Sequence, residues 1–123
     1  MRSHKKAVSI HGHSRDHATG SICVGGLNEA QRNEFIAYVN SNRNSFSLYR
    51  LNPIDAPSKK SGDCSEVNLK GTSPYNIVNK NSSEAGLQLE LNSQMRQDLV
   101  KAGADYEELQ RIIYGGVAQA MSK

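Results

Sequence analysis

Three of the four histidines, His11, His13 and His17, fall within seven residues, with Asp16 among them. Imidazole and carboxylate are ordinary zinc ligands, and alternate residues of a strand face the same way. His11, His13, Asp16 and His17 are therefore a candidate metal site. Their spacing matches no structural zinc motif, and a solvated loop of hydrogen-bonded imidazoles is the simpler reading of spacing alone. Cys23 follows shortly after. A neighbouring imidazole lowers a thiol's pKa, so Cys23 with His11 or His13 is a nucleophile candidate, set against the commoner role of a buried core thiol. Much further along, Glu90 alternates with leucines, which puts a carboxylate on the polar face of a strand, where a solvated glutamate is the simpler reading of the residue taken alone.

These groups need elements to hold them. Residues 7–11 and 21–24 are β-prone runs that end in His11-Gly12 and Gly25-Gly26, so each opens from a strand into a loop. Asn28 with Gln31 three residues on resembles a capping box, and Phe35, Ile36 and Val39 recur at helical spacing, which predicts a helix over 28–41. Residues 46–51 alternate enough for a strand, whereas 52–73, with two prolines and many small polar residues, read as a long loop. Leu87, Leu89 and Leu91 share one strand face, with Gln88 and Glu90 on the other. Asn92 can cap a helix carrying Met95 and Leu99, with Gly103 as its stop. Asp105 and Glu108 can cap a second helix, whose apolar stripe is Leu109, Ile112, Ile113, Val117 and Met121. Gly115-Gly116 either weakens that helix or admits close packing. Strands alternating with helices predict an α/β fold with a mainly parallel sheet flanked by helices, and such sheets gather ligands at the carboxyl ends of their strands. Both His11 and Glu90 stand at such ends.

The bulk properties bound the possibilities. At 123 residues the chain is about one domain with a modest core, and no tryptophan with only two Phe and five Tyr leaves that core thin in aromatics. No apolar run approaches the ~20 residues of a membrane span and no leader is evident, so the expectation is a cytoplasmic protein without a membrane partner. Two cysteines without CxxC spacing are expected to be reduced thiols. The net charge of +3 comes from scattered Lys and Arg rather than a block, which gives no footprint for nucleic acid.

Taken in order, VSIHG, VGGLN, LNPID, PYNIVNK and GLQLEL followed by MR resemble the second half of the phage and bacillar poly-γ-glutamate hydrolase family, over about residues 7–99. The resemblance implies a truncated zinc carboxypeptidase-like α/β/α fold and an ancestry in cleavage of γ-linked glutamate polymers. It makes His11 the third zinc ligand and Glu90 the catalytic carboxylate, which takes a proton from a metal-bound water and returns it to the leaving amine. It places Asn76, Asn79 and Lys80 near a substrate carboxylate, although the family tends to carry arginine where Lys80 stands. Arg96 is a further candidate anion contact, suited to bidentate binding. The family draws its first zinc ligands from an upstream His-x-x-Glu, and no such motif occurs in these residues. The expectation is therefore a binding or interaction protein that holds no zinc tightly. The alternative is a zinc-dependent γ-glutamyl amidohydrolase in which His13, Asp16 and His17, or a second subunit, complete the ligand set. An anionic, glutamate-rich ligand is expected in either case. Loss of the first strands would leave a sheet edge open, which predicts a homo-oligomer, most simply a dimer.

Overall fold

In a computed structural model, which describes residues 8–12, 19–65, 70–72, 79 and 86–123, the chain forms one mixed sheet with helices packed on it. The elements in order are β1 (Val8–Gly12), β2 (Ser21–Gly25), α1 (Glu29–Asn42), β3 (Asn52–Asp55), β4 (Leu87–Leu91), α2 (Ser93–Asp98) and α3 (Ala104–Met121), with 3-10 turns at Arg43–Ser45 and Ala56–Ser58. The strand order is β1-β4-β2-β3. The outer pairs β1–β4 and β2–β3 are parallel, and β2–β4 is an antiparallel seam between them, so the mainly parallel expectation holds for two of the three ladders.

Alternation in β4 decides the two faces. Leu87, Leu89 and Leu91 are fully buried on one face with Ile22 and Val24, against Phe35 and Val39 of α1 and Leu109, Ile112 and Ile113 of α3. Each such side chain contributes about 1.5–3 kcal/mol by leaving water. The glycine pair in α3 admits close packing: a methyl group at Gly115 would sit 2.3 Å from the Tyr38 hydroxyl, and one at Gly116 would sit 3.0 Å from the Phe35 ring. Among the described residues, the other face carries a smaller buried cluster of Cys23, Ala56 and Cys64, with Ile54 against it.

The expected cap at the start of α1 is present, since Asn28 Oδ1 accepts from the Gln31 amide at 3.0 Å. The box is not reciprocal, because the Gln31 side chain turns inward, fully buried, and neither of its amide atoms has a partner. Asn92 caps α2 by accepting from the Met95 amide at 3.0 Å. Helix α3 begins after Gly103 without a side-chain cap, so Asp105 serves its first turn only as a charge near the positive end of the helix dipole.

Two expectations are corrected. Residues 46–51 are not a strand, and β3 lies just beyond them, inside the stretch read as loop. Phe46 and Tyr49 meet edge to face at 4.9 Å and Leu51 is buried, so the apolar spacing there belongs to plugs that anchor a bend. Pro53 is tolerated in β3 because, among the described strands, β3 is at the edge of the sheet, where one side of the backbone needs no N–H for a ladder. The cysteines are not free thiols: Cys23 and Cys64 form a disulfide, their Cα atoms 5.3 Å apart. The return of the chain after β3 brings two residues together that lie 41 positions apart in sequence. No helix among the described residues is long and apolar enough to cross a membrane.

Candidate functional site

The site is built on one row of the sheet. His11 is the register partner of Glu90 in the parallel β1–β4 ladder, and Glu90 is the register partner of Cys23 in the antiparallel β4–β2 ladder. Residues opposite one another on adjacent strands point to the same face, with backbones about 5 Å apart. The three side chains therefore line up on the face opposite the leucines. They grade from solvent to interior: His11 is exposed at the end strand, Glu90 is 7% exposed in the middle, and Cys23 is fully buried in its disulfide. An imidazole beside a shielded carboxylate is a pair suited to proton transfer or to one side of a metal or anion site. The bridge removes Cys23 from the nucleophile reading, since a disulfide sulfur carries no thiolate.

The carboxyl end of this row is framed by α2. Arg96 of α2 is exposed, and its guanidinium crosses the end of β1 so closely that a methyl group at Gly12 would lie 2.0 Å from Nε. Gly12 follows His11, so its side-chain position faces away from His11 and Glu90. Arg96 thus reaches the same strand end from the opposite face of the sheet. Helix α2 is held by a buried carboxylate. Asp98, 2% exposed, accepts from the Tyr49 hydroxyl at 2.8 Å, from Lys101 Nζ at 2.9 Å and from Gln94 Nε2 at 3.0 Å. Burial on its own would raise the Asp98 pKa; hydrogen bonds from Lys101, Tyr49 and Gln94 outweigh it and hold the carboxyl below its ordinary value. Burial, then the hydrogen bond to Asp98 and its charge, push the Tyr49 phenol well above its usual range.

Asn79 is placed as a brace. It is 2% exposed, its Oδ1 accepts from the Leu27 and Gly86 amides at 3.1 and 3.0 Å, and its Nδ2 donates to the Gly71 carbonyl at 2.6 Å. Those bonds fasten the β2–α1 connection to the start of β4. At that junction Gly26 has φ +96°, and a side chain there would strike the Gly86 carbonyl oxygen at 2.0 Å. Arg32 adds a second fastening, with Nε 2.8 Å from Asp55 Oδ1 and Nη1 2.7 Å from the Gly26 carbonyl.

Of the residues singled out from the sequence, His11 and Glu90 are brought together, Arg96 comes to their strand end, and Asn79 braces the scaffold behind them. His13, Asp16, His17, Asn76 and Lys80 lie outside the described residues. Among the described residues, no group of three or more His, Cys, Asp or Glu side chains is placed to hold a metal ion. Sequence reasoning missed the disulfide and the Asp98 cluster. For the cluster a signal existed, since Asp98 lies on the buried side of α2 three residues after Met95.

The family described as Poly-gamma-glutamate hydrolase matches residues 1–113. Among solved structures, a bacteriophage poly-gamma-glutamate hydrolase is 25% identical, with a TM-score of 0.67 over 97% of this chain and 55% of that one. A zinc-free apo form of YNDL shares the fold at 17% identity, with a TM-score of 0.65 over 95% of this chain and 55% of that one. The chain thus spans about half the length of the structures it matches. No curated protein matches the sequence.

Proposed function

Because the chain belongs to the poly-γ-glutamate hydrolase family, we propose that it binds γ-linked glutamate chains through the His11–Glu90 row and Arg96, as a relative without a complete catalytic zinc site of its own. The single observation that carries this reading is the register of His11 with Glu90. A strand pairing across more than seventy residues sets side by side the two residues that the family resemblance marks for the reaction centre. A catalytic zinc takes three protein ligands and an open position, whereas the described residues offer one imidazole and one carboxylate here. The donor set of the described residues does not by itself fit the metal.

In a γ-linked polymer each unit uses its side-chain carboxyl in the amide and leaves its α-carboxylate pendant. Such a ligand is a regular row of anions, matched by a guanidinium at one end and a protonatable imidazole nearby. A second reading rests on the same register. A zinc-dependent γ-glutamyl amidohydrolase would need His13, Asp16 and His17, or a second subunit, to complete the ligands, with Glu90 as general base. A dimer belongs to the proposal on its own grounds. Among the described strands β1 pairs only with β4, and Ile10 on it is 42% exposed, so a second copy would cover an open edge. The cytoplasmic location expected from the sequence carries a condition: the Cys23–Cys64 bridge persists most readily in an oxidising compartment.

Zinc titration and a γ-linked glutamate oligomer, each with the protein and its His11→Ala variant, test the proposal. The expected result is oligomer binding that weakens in the variant, with the oligomer intact after incubation with zinc. Near-stoichiometric zinc binding lost in His11→Ala, with glutamate release lost in Glu90→Gln, would replace the first reading with the second.

A further inference from the structure

A position requires glycine for one of three reasons: a left-handed backbone, a close approach of other backbone, or a close approach of a side chain. Gly20, Gly26, Gly62, Gly71 and Gly103 have positive φ, and Gly12 does not. The three atoms nearest to a methyl group at Gly12 would be Arg96 Nε at 2.0 Å, Cζ at 2.1 Å and Cδ at 2.5 Å, with no backbone among them. What the missing side chain admits at this position is the head of one arginine.

The slot is well placed. Gly12 pairs with Leu91, so it stands one residue beyond both His11 and Glu90 at the carboxyl ends of their strands. The Arg96 side chain is exposed and makes no hydrogen bond or ion pair with another described residue, its backbone amide donating to the Asn92 carbonyl at 3.1 Å. Its helix is pinned on both sides, by the Asn92 cap and by the Asp98 cluster. A planar cation laid against a strand end by a rigid helix, with its donors unspent, is preorganised for a carboxylate, since little side-chain freedom is then lost on binding.

We infer that Gly12 is a positioning residue: its absent side chain forms the slot that fixes the Arg96 guanidinium at the end of β1, and so sets how strongly the protein takes a pendant carboxylate of γ-linked glutamate. The carboxylate half of this inference rests on the ligand class proposed above.

Gly12→Ala is a suitable probe, because Gly12 is not in the left-handed region and the atoms nearest to the added methyl group belong to the far end of a flexible side chain. The first measurement needs no ligand. In a proton–nitrogen spectrum the Arg96 Nε resonance, assigned by its loss in Arg96→Lys, should shift in Gly12→Ala while those of Arg32 and Arg43 stay in place. An unmoved Arg96 resonance overturns the slot. The second measurement is affinity for a γ-linked glutamate trimer in the wild type, Gly12→Ala, Arg96→Ala and the double variant. Each single variant should lose about tenfold, the loss of roughly one charge-assisted hydrogen bond, and the double variant no more than Arg96→Ala alone. Additive losses show that Gly12 does not act through Arg96 and overturn the inference. Failure of the wild type to bind the trimer overturns the ligand class and the carboxylate half with it, while the Nε resonance still decides the slot.

Discussion

His11 and Glu90 face each other across the parallel ladder of β1 and β4, one exposed on the end strand of the described sheet and the other shielded within it. Side chains in that relation share ligand and field, so their contributions to binding are not independent. In a double-mutant cycle on affinity for a γ-linked glutamate oligomer, His11→Ala and Glu90→Gln are expected to show a coupling of about 0.5–3 kcal/mol. Coupling within error of zero would mean that the row is a neighbourhood and not a site.

The Cys23–Cys64 bridge closes a loop between residues 41 apart, which on the chain-entropy account stabilises the fold by about 4 kcal/mol. Replacing both cysteines by alanine should lower the urea-unfolding free energy by roughly that amount, and adding reductant to the wild type should reproduce most of the loss. Identical unfolding curves with and without reductant would show that the thiol form is the one present in solution.

The Asp98–Tyr49 pair contributes to both limbs of the pH–stability profile. Asp98 titrates lower in the folded chain than in the unfolded one, so its contribution is present above the unfolded value of about 4 and is lost as pH falls through the folded value. Tyr49 titrates higher when folded, so its contribution is present below about pH 10 and is lost as pH rises beyond it. Asp98→Asn should cost about 1.5–3 kcal/mol at pH 7, with the deficit shrinking toward pH 3. Tyr49→Phe should flatten the alkaline limb. Denaturant midpoints across pH check both.

Gln31 buries an amide whose two polar atoms have no partner. Gln31→Met keeps the length, removes the unsatisfied groups and should raise stability by about 1 kcal/mol, read as a higher denaturant midpoint at unchanged slope. A loss of stability instead would show that the amide is satisfied in solution.

Much of the fold is legible in the residues because its signals are local. The alternation of Leu87, Leu89 and Leu91 fixes which way Glu90 faces, and Asn28 and Asn92 mark helix starts with side chains that do accept the expected amides. Strand β3 was hidden because Pro53 argues against a strand unless its edge position is known, and the sequence does not state strand order. The candidate site was legible only in part for a similar reason. Residue types nominate His11, Glu90 and Arg96, but their juxtaposition comes from a crossover between β1 and β4, and the use of Gly12 from how α2 lies on the strand end. The disulfide depends on where the chain returns after β3, and two cysteines without a motif carry no trace of that path.

The strand order also carries a consequence in time. Strand β1 finds its described partner only in β4, 79 residues later when Val8 is matched with Leu87. At a synthesis rate of about 5–20 residues per second, the first strand waits roughly 4–16 seconds on the ribosome before residues 87–91 exist to receive it. The β2–β3 ladder, whose partners lie close in sequence, can form well before then. His11 and Glu90 therefore cannot meet until β4 has been made, which places assembly of the candidate site after the β2–β3 ladder.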